Sequence, residues 1–278
     1  MAVYTDVTGA AAWLPIDTAP LVEVPFFEQS VAARVSTRRV TPSHTYRIPI
    51  FVTDPVSAFV AEGAEIAVSD PVLAELSVTP AKVGVITVVS REMAEDSDPA
   101  IAEQIGRAQG RDAARRFDQA VFAGLASPAP AGLTTLSGIS TVVDAGAYAD
   151  LDAFAEAISK AAVVGARLDY FVTSPAVSLL LAKVKQATGS NLPLLGSDPT
   201  APGAQSVLGV PLITSEFVAS NVVWGIDSSR VYTIVRSDST TEADRSVYFT
   251  SDRVALKTTM RLAFACAHAA SVVKISLA

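Results

Sequence analysis

Residues 254–266 read VALKTTMRLAFAC. Val254, Leu256, Thr258, Met260, Leu262, Phe264 and Cys266 share one parity, and Ala255, Lys257, Thr259, Arg261, Ala263 and Ala265 the other. Strand side chains point alternately to opposite faces. Thirteen positions of this alternation predict one long, half-buried strand. Typical strands run to only about five or six residues.

An equally long helix is predicted upstream, from about Asp98 to Leu125. Asp98 with Pro99 reads as an N-cap and first-turn pair. Glu95, Asp96, Asp98 and Glu103 crowd its start, and Arg107, Arg111, Arg115 and Arg116 its later turns, which suits the helix macrodipole. Glu103, Arg107, Arg111 and Arg115 recur every fourth residue and form one charged stripe. About 27 residues at a rise of 1.5 Å make a rod of roughly 40 Å. Gly106 and Gly110 weaken it locally. The stripe reads as a solvated face or as an edge that meets another subunit or packed nucleic acid.

Before the helix stand two β-rich segments, HTYRIPIFV (44–52) and LSVTPAKVGVITVVS (76–90). Between them DPVSAFVAEGAEIAVSDP (54–71) is bounded by two Asp-Pro pairs. The pattern is a long two-stranded excursion with a loose tip. Phe51, Val56, Phe59, Val60 and Ile66 have no local core to enter, so the excursion either folds back or lies on a neighbour. Residues 1 to about 30 carry Pro15, Pro20 and Pro25 and predict an extended arm, not a helix. Arg34, Arg38 and Arg39 follow as a basic cluster, read as solvated surface or as a subunit or nucleic-acid contact.

After SPAPAGLTTLSG (127–138), LDAFAEAISKAAV (151–163) places Leu151, Phe154, Ile158 and Ala162 at helical spacing. RLDYFVTS (167–174) reads as a strand. Ser174-Pro175 starts a second helix with Val177, Leu180, Leu181 and Val184 on one face and Gly189 placed to end it. SNLPLLGSDPTAPGAQ (190–205) is a long loop. SVLGVPLITS, NVVWGI and RVYTIV are further strands. The class is α+β.

Composition narrows the function. The 278 residues are 50% hydrophobic and 18% charged, against a usual charged fraction of about 25%. Disorder is excluded on that ground. A net charge of −7 and a pI of 4.9 argue against a basic nucleic-acid reader. One cysteine excludes a disulfide scaffold. The longest uncharged stretch, Gln119 to Val143, is broken by Pro128, Pro130 and glycines, so no membrane span is expected. Neither a signal peptide nor an anchor is read at the start, and a reducing cytoplasm is expected.

Catalytic signals are weak. His44 and His268 are far apart, and no Cys/His spacing suits a metal. Cys266 falls on the apolar face of its strand and reads as a small buried hydrophobe. There is no G-x-S-x-G elbow and no phosphate-cradling glycine loop. Glu62/Glu65 and Glu95/Asp96/Asp98 fit exposed loops and a helix start better than an acid–base pair. No cofactor and no metal are expected.

The ordered motifs resemble the major capsid proteins of tailed bacteriophages, the Hong Kong 97-type family. WLPIDTAPLVEVPFFEQS resembles the family's N-terminal arm. TYRIPIF, FVAEGAEIAVSDP and LSVTPAKVGVITVVSREM resemble its extended loop and return strand. FDQAVFAGL with PAGL resembles the end of its spine helix, and DYFVTSPAVSLLLAKVKQATG, LGVPLITS and VVWGIDSSRVYTIV its axial domain. RVALKTTMRLAFACAHAASVVKI resembles its peripheral strand and return. The resemblance divides the chain into an arm and the start of the peripheral domain (1–43), extended loop and return strand (44–90), and spine helix and exit (91–132). The axial domain (133–240), the long peripheral strand (241–267) and a return to the axial domain (268–278) follow.

The resemblance implies a structural protein and no enzyme. Its copies would assemble through pentamers and hexamers into an icosahedral shell around double-stranded DNA, held without sequence-specific binding. It would be a virion protein assembled in the bacterial cytoplasm. The implied partners are other copies of the chain, a portal protein and a separate scaffolding protein, since the arm begins almost at Met1; a decoration protein would fit as well. Some relatives join a loop lysine to a peripheral asparagine. Here 54–71 holds no lysine, Lys82 is the nearest, and the only asparagines are Asn191 and Asn221, so a non-covalent shell is expected. Subunit contacts are expected at Arg34, Arg38, Arg39, Asp54, Pro55, Glu62, Glu65, Arg107, Arg111 and Arg115. The competing expectations are an encapsulin-like compartment shell of the same fold, and a hydrolase whose pocket joins His44 or His268 to a serine and a carboxylate.

Overall fold

The structure is a computed structural model, and it describes residues 15–53, 55–90, 92, 100–146, 148–187, 190–191, 193–195, 205–236, 240–244 and 246–277. Helices α1 (Pro15–Gln29) and α2 (Val31–Arg34) open it, followed by strands β1 (Thr37–Thr41), β2 (Tyr46–Thr53), β3 (Val72–Val78) and β4 (Ala81–Ser90). The spine helix α3 (Ala100–Asp118) continues into a wider π-helical turn, Gln119–Ala123, and stops at Gly124 with φ +76°. Then come β5 (Ser140–Asp144), α4 (Asp152–Val163), β6 (Tyr170–Thr173) and α5 (Pro175–Lys183). Strands β7 (Gln205–Val207), β8 (Val210–Thr214), β9 (Val222–Ile226), β10 (Val231–Arg236), β11 (Thr240–Asp244), β12 (Arg253–Cys266) and β13 (Val273–Leu277) complete the chain.

The long strand β12 organises one sheet. β12 pairs antiparallel with β4 along Arg253–Leu262 on one edge. Its other edge takes β11 at Ala255–Thr259 and β10 at Leu262–Cys266, and β1 adds in parallel to β10. The even-numbered face is buried along its whole length, as the alternation predicts. The odd-numbered face is exposed or half-buried at Lys257, Thr259 and Arg261, while Ala255 is buried, and Ala263 and Ala265 are buried beside Ile234 of β10 and against Ile48 of β2. Alanine is small enough to let a second layer approach there.

The second sheet runs β5-β13-β9-β6-β8-β7. Its core holds Phe154, Phe171, Val177, Leu181 and Ile275, with Phe154 and Phe171 edge to face at 5.1 Å. Ser174 caps α5 as expected, its Oγ accepting from Val177 N–H at 3.3 Å. α5 ends at Lys183, and Gly189 lies outside the described residues. Two predicted faces need correction. On α4 the buried positions are Ala153, Phe154, Ala157 and Ala161, with Ala162 exposed. On α5 Leu180 is exposed while Val177 and Leu181 are buried. In each helix the buried stripe is narrower than the apolar sequence, because only one side meets the sheet.

The larger correction concerns the N-terminal segment, which is helical where an extended arm was predicted. Packing decides against the prolines. Val22 and Phe26 are fully buried, and the Phe26 ring lies 5.7 Å from that of Phe117 on the spine. Burying two such side chains contributes about 3–6 kcal/mol, which is of the same order as the cost of Pro20 and Pro25 within the helix at about 3 kcal/mol each, while Pro15 stands at the first position, where proline is tolerated. Gly110 makes the approach possible: a Cβ there would sit 2.7 Å from the Val22 carbonyl oxygen. The glycine that weakens the spine in sequence terms is the seat of α1.

Candidate subunit interface

β2 and β3 form a two-stranded ladder of their own, from Tyr46↔Val78 outward to Thr53↔Val72. Eight residues of β2 at about 3.3 Å each carry the chain roughly 25 Å outward. The inner end is anchored, with Tyr46, Ile48, Leu76 and Val78 packed against Ile234, Ala263 and Ala265 of the first sheet. The outer end is bare. Phe59 is fully exposed, and Ile66 and Val68 are 76% and 89% exposed. Val52, Val56, Leu73 and Val72 extend this apolar surface along the ladder. The excursion does not fold back onto its own subunit. Single exposed apolar residues are ordinary, but a contiguous stretch of them marks a contact surface.

Of the expected contact residues, Pro55, Glu62 and Glu65 lie exposed on this tip, and Asp54 lies outside the described residues. Glu62 and Glu65 flank a turn at Gly63 (φ +81°), closed by Ala64 N–H donating to the Ala61 carbonyl at 3.0 Å. Arg34 is exposed at the end of α2. Arg38 and Arg39 lie on β1, a strand the basic cluster had not announced. Arg38 is held within the subunit: its guanidinium pairs with Glu23 at 3.4 Å and covers the Phe27 ring at 4.0 Å. Arg39 stands 5.6 Å over the Tyr232 ring. β1 is an edge strand, and such charges protect an open edge from indiscriminate pairing.

The spine arginines divide. Arg115 pairs with Glu216 at 3.0 Å, which ties the spine to the β8–β9 connection. Arg107 and Arg111 instead line an open cleft of about 670 Å³ between the spine and β4, with Val89, Ile105 and Ala108. The side chains of Glu103 and of Glu95, Asp96 and Asp98 lie outside the described residues. So the structure brings Arg107 and Arg111 together in one concavity and sends Arg115 elsewhere.

Two buried polar groups hold this frame, and both were missed in the sequence. Asp118 closes the spine and caps α2: it accepts from Ser30 Oγ at 2.7 Å and from the Val31 and Ala32 N–H groups at 2.9 Å each. Burial pushes its carboxyl above the ordinary 3.8, while the three hydrogen bonds pull the other way. An acid in the last turn of a helix opposes the macrodipole, and that was the available signal. Gln109, also buried, donates to Thr87 Oγ1 on β4 at 2.9 Å and accepts from Thr258 Oγ1 on β12 at 2.7 Å. It pins the spine across the sheet. No sequence signal marked it out among the arginines.

The residues considered for chemistry have structural places. Cys266 is buried, and burial raises its thiol to about 11, which keeps the reactive thiolate scarce. His268 Nδ1 faces Arg230 Nη1 at 3.2 Å. His44 is exposed in the turn between β1 and β2. Among the described residues, no cluster of His, Cys, Asp or Glu could hold a metal ion, and no helix is long and apolar enough to cross a membrane.

A comparison with solved structures finds this architecture in chains of two phages and of a GTA particle capsid. A Mycobacterium phage Adephagia chain is 21% identical, with TM-score 0.70 and 90% of each chain covered. A Microbacterium phage Oxtober96 chain is 20% identical, with TM-score 0.73 over 90% of this chain and 91% of that one. A chain from the capsid of a native GTA particle is 16% identical, with TM-score 0.69 over 100% and 95%. The curated proteins give no match. The α+β fold is of the Hong Kong 97 type, with a long spine helix, long peripheral strands and an excursion that leaves the body. The phage capsid family model matches residues 18–277, nearly the whole chain, and the protein therefore belongs to the phage capsid family.

Proposed function

We propose that this capsid-family protein is a major capsid subunit. Its copies assemble through pentamers and hexamers into a closed icosahedral shell around the double-stranded DNA of a tailed phage, in the host cytoplasm, with a portal and a separate scaffolding protein as partners. It does so without catalysis. The observation that carries this reading is the excursion: an anchored base and a tip whose apolar side chains meet nothing in the subunit. The net charge of −7 suits a container that does not grip its contents, since phosphate contacts need a basic surface. The shell is non-covalent: no lysine stands in 54–71, and the only asparagines, Asn191 and Asn221, stand outside the stretch 241–267.

Electron microscopy of the purified protein tests the reading. Closed, uniform particles are expected. A protein that stays monomeric under every assembly condition would overturn it. Denaturing electrophoresis of those particles should give one monomer band, and ladders of linked subunits would contradict the non-covalent shell.

A further inference from the structure

The last turn of β12 leaves one edge open. Ala267 N–H donates to the Arg230 carbonyl at 2.9 Å, so by the alternation of an antiparallel ladder Ala265 and Ala263 turn their backbone groups towards β10. Phe264 and Cys266 turn theirs to the opposite edge, which β4 occupies only as far as Leu262↔Ala81. Pro80 precedes Ala81, and there the chain leaves the edge for β3, whose Leu76 and Val78 pack against Ala263 and Ala265. Beyond Leu262 no strand among the described residues pairs with this edge. No backbone hydrogen bond among the described residues reaches the N–H or C=O of Phe264 or Cys266 from that side. A slot of about 320 Å³ lies along it, lined by all four residues Ala263–Cys266. Successive strand side chains point to opposite faces, so four in a row can line one cavity only along the edge. The β3–β4 turn, Leu136 and the segment Pro128–Ala131 complete the lining, and no charged side chain is among the described lining residues. Pro128 and Pro130 have no N–H and cannot close the edge as a strand. Phe264 and Cys266 are only 4% and 7% exposed, and buried backbone donors and acceptors are nearly always paired.

We propose that this slot is a strand-addition site: an extended, uncharged segment of a partner polypeptide enters it and pairs with β12 at Phe264 and Cys266. An open strand edge is a template for another strand. Main-chain hydrogen bonds supply the affinity of such a site, and its flanking walls choose the side chains. Phe264 and Cys266 offer two donors and two acceptors about 7 Å apart, which suits a partner segment of about three to five residues. The uncharged lining keeps Asp, Glu, Lys and Arg out of the inward positions, because a charge buried there would have no partner. The site is separate from the excursion tip and does not depend on shell formation.

A library of acetylated, amidated pentapeptides drawn from Ala, Val, Thr, Ser and Leu, screened against the full chain, tests the site. Members should bind, and in the complex the Phe264 and Cys266 amides should exchange roughly tenfold or more slowly, while the Ala265 amide, already paired with β10, changes little. The best binder is then N-methylated on alternate residues in the two possible patterns. The pattern that blocks the N–H groups facing β12 should weaken binding roughly tenfold or more, and the pattern that blocks the outward ones should not, although both keep every side chain. Ala131→Leu, checked for folding by circular dichroism, should lose binding by filling the slot. A library with no binder would overturn the proposal, as would binding that leaves Phe264 and Cys266 exchange unchanged. Two N-methylation patterns of equal effect would overturn it too, because the slot would then take apolar side chains and not a strand.

Discussion

The sheet β5-β13-β9-β6-β8-β7, the axial sheet, and the excursion treat similar side chains in opposite ways. Phe154 is fully buried against Phe171, while Phe59 is fully exposed. Both lie in alanine-rich sequence. The difference is the number of layers. The axial sheet has helices packed on it, so its apolar residues meet partners within the chain. The excursion is two strands with nothing on its outer length, and a two-stranded ladder alone is marginal. What hydrophobicity contributes therefore depends on whether the partner surface belongs to the same copy or to the next one.

That contrast can be broken by mutation. Phe154→Ala should cost about 3–5 kcal/mol of subunit stability, from lost transfer energy and the cavity left behind; denaturant unfolding of the unassembled subunit reads it. A loss below 1 kcal/mol would mean that the axial core is not the stable half. Asp118→Ala should cost about 3 kcal/mol, because two backbone N–H groups and the Ser30 hydroxyl lose a buried acceptor.

The pH dependence sharpens this second prediction. Burial raises the Asp118 carboxyl in the folded chain above its ordinary 3.8. The folded state therefore binds its proton more readily than the unfolded one. The contribution of Asp118 to stability is then lowest near neutral pH and grows as pH falls through the raised value towards 3.8, below which it levels off. The stability gap between wild type and Asp118→Ala should widen over that fall. A gap that narrows would show that the hydrogen bonds outweigh burial.

Phe59→Ser should give the smallest effect on the subunit, within about 0.5 kcal/mol, since an exposed side chain has no folded contact to lose. The same change should reduce particle yield. If subunit stability falls as far as it does for Phe154→Ala, the tip has an intramolecular partner and the contrast fails.

Legibility in the sequence followed the same division. The long strand at 254–266 was readable because period-2 alternation needs only one buried face. The Ser174-Pro175 cap was readable because capping is local. The helix at Pro15–Gln29 was not, because three prolines argued against it and the opposing term, Gly110 admitting Val22 and Phe26, lies some ninety residues away. β1, β5 and β13 are short strands of five residues each that exist through pairing with distant partners. The exposed tip was foreseen because nothing nearby could cover it. The division of the arginine stripe was not, since spacing places side chains on a face and cannot say what stands opposite.

Hydrogen exchange tests the central claim most directly, compared between the unassembled subunit and the assembled particle. In the subunit, amides of Ala153–Ala161 should be protected and those of Val56–Asp70 should exchange freely. In the particle, Val56–Asp70 should gain protection while Ala153–Ala161 changes little. A tip that exchanges equally fast in both states would contradict the account, because its apolar surface would then have no partner even in the shell.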